Sequence, residues 1–182
     1  MHLDDVTILQ QFAVPELKEK AFTALVHKYQ ERLYWHIRRL VINHSDADDV
    51  LQNMFIKVWN GLANFREESK LYTWLYRIAT NESLTFLEQQ KKKSAAASFN
   101  EMEESLSNKI KAEENFDANR IEWKLQLAIN TLPEKQKLVF NLRYFDEMSY
   151  DEMSKILDTS EGALKASYHH AAKKIEEYML KA

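Results

Sequence analysis

Cysteine is absent from the 182-residue chain, which excludes disulfide staples, thiolate metal sites and cysteine nucleophiles, and with them a disulfide-built secreted fold. The cytoplasm is the compartment this composition predicts. Glycine and proline number two each, too few for the tight turns of hairpins, whereas helix-favouring Leu, Glu, Lys, Gln and Ala abound. An all-α fold is therefore expected. Apolar runs are only a few residues long, and His2, Asp4 and Asp5 stand where a signal peptide needs bases and an apolar stretch, so neither export nor membrane insertion is expected. Gly61 and Gly162 cannot form a G-x-x-x-x-G-K phosphate loop, and neither H-E-x-x-H nor Glu-x-x-His occurs. The reading is of a non-enzyme with no catalytic residue, metal or cofactor. An excess of positive charge is missing too: 25 Lys and Arg face 28 Asp and Glu, for a net charge of -3. If the chain binds nucleic acid, its basic groups must act locally.

What is present is helical periodicity. Phe22, Leu25, Val26, Tyr29, Leu33, Ile37, Leu40 and Val41 advance by threes and fours, the stripe of an amphipathic helix. Ser45 with Asp48 forms a capping pattern for a second helix over about 46–60, with Ala47, Val50, Leu51, Met54, Phe55, Val58, Trp59 and Leu62 on its apolar side, ending near Gly61. A third, from Lys70 to about Lys93, carries Leu71, Trp74, Leu75, Ile78 and Ala79 on one side and Arg77, Asn81, Thr85 and Glu88 on the other. From 94 to 120 the chain turns small and polar, which reads as a flexible, partly disordered linker.

Beyond it, 121–129 is helical, Leu132-Pro133-Glu134 opens a helix with Pro at its first position, and Leu138, Val139 and Leu142 continue the apolar side. Ser149 and Glu152 cap a short helix to about Leu157; Asp158-Thr159-Ser160 turns into a last one reaching about Leu180. Two helices on a short turn predict a helix-turn-helix. Leu164, Tyr168, Ala171, Ile175 and Tyr178 form the buried stripe of the last helix, which turns Lys165, Ala166, His169 and Lys173 outward. In a helix-turn-helix the second helix enters the major groove by its amino-terminal part, where Lys165, Ala166, His169 and His170 lie. His169 and His170 are adjacent, about 100° apart on a helix, and do not chelate one ion together. Any exposed helix shows lysines, so side-chain chemistry leaves a DNA contact and a solvated face both open.

Three further sets stand out. Tyr72, Trp74 and Tyr76 with Arg77 and Asn81 combine ring faces for stacking with groups that hydrogen-bond a base edge, equipment for holding an unpaired strand. Trp74 falls on the apolar stripe and reads as core, leaving Tyr72, Arg77 and Asn81 as the functional candidates. Lys91, Lys92 and Lys93 close the third helix, where cations suit both the helix dipole and a phosphate backbone. Asp46, Asp48 and Asp49 begin the second helix, where negative charge suits the dipole; three exceed what capping requires, which leaves a structural role and a partner surface both open.

Asp46-Ala47-Asp48-Asp49-Val50-Leu51-Gln52, followed by Phe55, Trp59, Thr73-Trp74-Leu75-Tyr76-Arg77-Ile78-Ala79 and Asn81, resembles region 2 of sigma-70-type factors. Leu132-Pro133-Glu134, Ser149-Tyr150-Asp151-Glu152 and Gly162-Ala163-Leu164-Lys165 resemble their region 4. With these two regions and a short linker, the chain is similar to the extracytoplasmic-function (ECF) group of bacterial sigma factors. The resemblance implies two small helical domains, a region 2 bundle over 1–93 and a region 4 helix-turn-helix over 121–182, joined by a flexible linker over 94–120. It implies a dissociable subunit that binds the RNA polymerase core, through a coiled coil of the largest subunit and the flap, and directs it to promoter DNA. Asp46, Asp48, Asp49, Gln52, Asn53 and Phe55 would then meet the polymerase. Ser69, Lys70, Tyr72, Arg77, Asn81 and Lys91 to Lys93 would capture and melt the −10 element, with Asn81 at the family's base-contacting asparagine position. Ser160, Lys165, Ala166, His169, His170 and Lys173 would read the −35 element. The 27 residues of 94–120 span ~90 Å at most at ~3.3 Å each, enough for two DNA turns of ~34 Å.

The chain departs from the family pattern at Glu88 and Gln89, where relatives usually carry bases, and at Ala166, Ser167, His170 and Ala172, which replace a Ser/Arg-rich run. Weak or unusual duplex affinity in isolation is expected. Family members are commonly held inactive by an anti-sigma factor, so such a partner is expected too. Two other classes compete: a stand-alone helix-turn-helix regulator, which calls for dimer symmetry and a stronger basic balance, and a helical adaptor that binds polymerase alone.

Overall fold

The structure, a computed structural model, describes residues 3–93 and 120–181. Among the described residues the regular elements are all helical: α1 (Asp5–Phe12), α2 (Lys18–Val41), α3 (His44–Gly61), α4 (Leu71–Lys93), α5 (Arg120–Asn130), α6 (Glu134–Tyr144), α7 (Tyr150–Leu157) and α8 (Glu161–Leu180), with single 3-10 turns at Pro15–Leu17 and Leu62–Asn64. The chain divides into two compact units, Met1–Glu88 and Gln89–Ala182. The expected linker over 94–120 lies outside the described residues except for Arg120, which opens α5. Among the described residues no helix is long and apolar enough to cross a membrane.

In the first unit the three-and-four stripes become the core. Leu25, Leu33 and Ile37 of α2, Ala47, Val50, Met54 and Val58 of α3, and Leu71, Leu75 and Ala79 of α4 are all buried, and α2 packs along α3. Helix α1 was not foreseen. Its signal is Asp4, whose side chain accepts from Thr7 N at 2.7 Å, and it buries Ile8 and Phe12 against α2. Asp5 anchors it, accepting from Tyr29 Oη and Lys28 Nζ at 2.7 Å each.

Two predicted caps shift. Ser45 does not cap α3: Ile42 turns at φ 71°, Asn43 is extended, and the Asn43 side chain accepts from Asp46 N at 3.1 Å. The tight turn out of α2 starts α3 earlier, and that places Ser45 inside the first turn. Pro133 is the N-cap of α6 rather than its first helical residue. The box at α7 is as read from sequence: Ser149 N donates to Glu152 at 3.0 Å and Glu152 N to Ser149 Oγ at 3.2 Å.

The second unit closes around Ala128, Ile129, Leu132, Phe140, Ala171 and Ile175. Leu138, Leu142, Met153, Ile156 and Leu164 are buried as well. Burying each such Leu or Ile stabilises by about 1.5–3 kcal/mol, which holds α8 by one stripe and leaves its other side to solvent.

Candidate functional site

Helix α3 presents Asp48, Asp49, Gln52 and Asn53 on its exposed side, with Asp46 half-buried at the first turn. His44 Nε2 lies 3.4 Å from an Asp48 oxygen, and Tyr34 Oη lies 2.5 Å from His44 Nδ1. Phe55 is half-buried and turned toward the aromatic cluster: it meets Phe22 edge-on at 6.3 Å, and Trp59 meets Phe22 at 5.0 Å and Phe12 at 5.5 Å. Lys18 Nζ sits over both Phe12 and Trp59, at 4.9 and 4.7 Å. Ile56, 55% exposed, shares the acidic face and was missed; its signal is an apolar residue out of phase with Met54 and Val58.

Helix α4 separates its two sides cleanly. Arg77, Asn81, Thr85 and Glu88 are exposed on one, and Lys91, Lys92 and Lys93 are exposed in the last turn. Ser69 Oγ donates to Lys70 O at 3.4 Å, and Lys70 Nζ lies 5.7 Å from the half-buried Tyr72 ring. Tyr76 cannot stack a base: it is 1% exposed and packs 4.9 Å from the His36 ring. Its place is set by packing between α2 and α4, which an alternating run of aromatics does not specify. Trp74 is half-buried, 5.2 Å from Phe65 and against Gly61. A Lys57–Glu82 ion pair joins α3 to α4 beside Asn81.

In the second unit Asp158 takes the left-handed conformation at φ 49°, which reverses the chain between α7 and α8. Ser160 caps α8 by accepting from Ala163 N at 3.3 Å. With Leu164, Ala171 and Ile175 buried, Lys165, Ala166, His169, His170 and Lys173 all face solvent. The outward residues cover about two turns and combine two cations, a methyl group and two imidazoles, which can meet guanine acceptors, a thymine methyl and phosphates. A run of stacked aromatic rings was not foreseen, with Tyr144 and Phe145 exposed and Phe140 buried. Tyr144 stacks on Phe140 at 5.1 Å, Phe140 stacks on Tyr168 at 5.7 Å, and Phe145 lies edge-on to Tyr144 at 5.0 Å.

Against known proteins, the family description Sigma-70 region 2 matches residues 25–93, and Sigma-70, region 4 matches 122–175. The RNA polymerase sigma-H factor of Pseudomonas aeruginosa is 31% identical over 166 residues, 87% of this chain and 86% of that one. The ECF RNA polymerase sigma-E factor of Haemophilus influenzae is 30% identical over 165 residues, 87% of each chain. Among solved structures, CnrH in complex with the cytosolic domain of CnrY aligns with a TM-score of 0.69 at 21% identity, over 95% of both chains. The sigma factor RpoE of Bartonella quintana, in complex with the anti-sigma factor NepR, aligns with a TM-score of 0.70 at 18% identity, over 89% of this chain and 98% of that one. Both regions match in order and the relatives align over nearly their whole length: the chain belongs to the ECF group of the sigma-70 family of RNA polymerase sigma factors.

Proposed function

We propose that this chain binds the RNA polymerase core and directs it to promoters, with each exposed face serving one partner. The observation that carries the reading is the pairing of the two family regions, in order, with relatives named as RNA polymerase sigma factors. The polymerase surface is α3, through Asp46, Asp48, Asp49, Gln52 and Asn53, with Phe55 supporting it from the aromatic cluster. The −10 surface is the approach to α4 and its polar side, from Ser69 and Lys70 through Tyr72, Arg77 and Asn81 to Lys91, Lys92 and Lys93. The −35 surface is the outward side of α8, from Ser160 through Lys165, Ala166, His169 and His170 to Lys173. Region 2 then corresponds to about 1–93 and region 4 to about 121–182, joined by a flexible linker.

This division explains a negative total charge on a DNA-binding subunit. Acids meet the polymerase, and few bases suffice because the core enzyme brings the DNA. RNA synthesis belongs to that enzyme, so no catalytic residue is assigned here, and the chain acts where the polymerase does, in the cytoplasm. Control by an anti-sigma factor is supported by the two structural neighbours, each solved with a bound protein partner, NepR being named as an anti-sigma factor.

Run-off transcription on native genomic DNA with purified core polymerase tests the assignment. Discrete new start sites are expected with the wild-type protein. Asn81→Ala and Lys165→Ala are expected to weaken them by about fivefold or more, as loss of one base contact does. Tight core binding without new start sites would instead make the chain an adaptor, and promoter binding without core would make it a stand-alone regulator.

A further inference from the structure

Lys165 occupies an awkward place. It sits in the second turn of α8, far from the carboxy-terminal turn where the helix dipole favours a cation. Its contact is not a carboxylate but a ring: Lys165 Nζ lies 5.6 Å from the centroid of Tyr150, the first residue of α7. The same ring carries a second cation, with the Arg143 guanidinium 5.3 Å from the centroid. Arg143 is itself held, since Nη1 donates to Met148 O at 3.0 Å across the α6–α7 turn. Tyr150 is half-buried, so it cannot swing freely with its two cations.

Three helices therefore meet on one phenol. A flexible lysine has three rotatable donors and much side-chain entropy to lose on binding, and a ring face that holds its head group removes part of that cost beforehand. An aromatic ring also attracts cations without neutralising them, as a carboxylate would. Both cations stay positive and lie 5.3 and 5.6 Å from the same ring centroid, and positive donors held in place suit a phosphate or a guanine edge.

We propose that Tyr150 is a positioning residue for the −35 surface: its ring gathers Arg143 and Lys165 into one cationic unit and sets the Lys165 ammonium before DNA arrives. This rests on the assignment of α8 as the promoter-reading helix.

The test uses the full-length protein, alone and in holoenzyme with core polymerase, on the promoter fragment found by run-off transcription. Four variants are compared: Tyr150→Phe, Tyr150→Leu, Lys165→Ala, and Tyr150→Leu with Lys165→Ala. Tyr150→Leu is expected to weaken promoter binding roughly two- to fivefold and Tyr150→Phe to retain it, because the ring and not the hydroxyl holds the cations. In the Lys165→Ala background Tyr150→Leu is expected to add nothing. The salt slope should fall by about 1 on loss of Lys165.

An equal loss from Tyr150→Leu with and without Lys165 would overturn the proposal, as would a Tyr150→Phe variant no better than Tyr150→Leu. If Lys165→Ala leaves promoter binding unchanged while transcription starts normally, the role of Tyr150 falls and the sigma function stands. A second readout needs no promoter. The Lys165 side-chain NMR signals should carry a ring-current shift in wild type and in Tyr150→Phe that disappears in Tyr150→Leu. Should no start sites appear at all, the proposed function falls, and with it the role of Tyr150 on DNA; the ring-current shift then decides whether the lysine is held.

Discussion

The two units treat buried polar side chains differently. In the first, His36 is fully buried and its Nε2 lies 2.9 Å from Thr80 Oγ1, which staples α2 to α4, while buried Ser83 donates to Ala79 O at 2.8 Å. Arg39 has a buried Nε without a hydrogen bond, on a residue that makes other interactions. In the second, Asn141 is fully buried in the middle of α6 with neither its amide oxygen nor its amide nitrogen bonded, and half-buried Asn130 likewise has both amide atoms buried and unbonded. A buried polar group without a partner costs about 1–3 kcal/mol, and a paired one is close to neutral or favourable. The difference teaches that the first unit pairs a fully buried polar group across helices, whereas the second leaves the amide of fully buried Asn141 unpaired in its core.

The sharpest test of that contrast uses substitutions of opposite sign. Asn141→Leu keeps the heavy-atom skeleton of the side chain and removes two unpaired polar atoms; it is expected to stabilise the second unit by about 1–3 kcal/mol. Thr80→Val keeps shape and takes the hydroxyl from His36, and it is expected to destabilise the first by about the same amount. Hydrogen exchange of α6 and α8 peptides against α2 and α4 peptides reads each unit separately. Destabilisation by Asn141→Leu would break the comparison.

The helix caps come next in size. Asn43 caps α3 with one bond, and Ser149 and Glu152 cap α7 with two. Asn43→Ala and Ser149→Ala are each expected to cost about 1 kcal/mol. The Ser149 variant should cost the more, because the Glu152 side chain depends on the same geometry. Urea titration followed by far-ultraviolet circular dichroism checks the order.

A further contrast lies in alkaline solution, again with opposite signs. Burial pushes half-buried Lys137 of the second unit down to about 8 from an ordinary 10.5, against the pull of Glu134. Between those values the unfolded chain binds more protons than the folded one, so stability rises with pH from about 8 to 10.5. In the first unit, burial and then the hydrogen bond to Asp5 raise Tyr29 well above its ordinary 10.0. The folded state holds that proton longer, so the stability it contributes is present below pH 10.0 and is lost as pH rises further. Lys137→Met should flatten the rise and Tyr29→Phe the fall, measured as unfolding midpoints across a pH series.

Much of the fold was legible because helix signals are local. The stripe Leu164, Ala171, Ile175 is buried and Lys165, Ala166, His169, His170 and Lys173 are exposed, as a period of three and four requires. The Ser149–Glu152 box and the Ser160 cap form where the spacing places them. Legibility failed where two local solutions compete or where a neighbour decides. Asn43 and Ser45 both suit an N-cap, and the positive φ at Ile42 chose between them. Tyr72 and Tyr76 lie on one helix, yet Tyr76 packs on His36 and is buried while Tyr72 is half-buried.

By itself the sequence determined the helices after α1, most of their ends, the side of each that is apolar, and the family, because each of these depends on residues within a few turns or on motif order. Tertiary structure decided what distant residues do to one another: that Phe55 turns into an aromatic cluster, that Asn141 is buried without a partner, and that Arg143 and Lys165 share the ring of Tyr150. Those contacts join residues from different helices, and side-chain periodicity within one helix carries no information about where the next one packs.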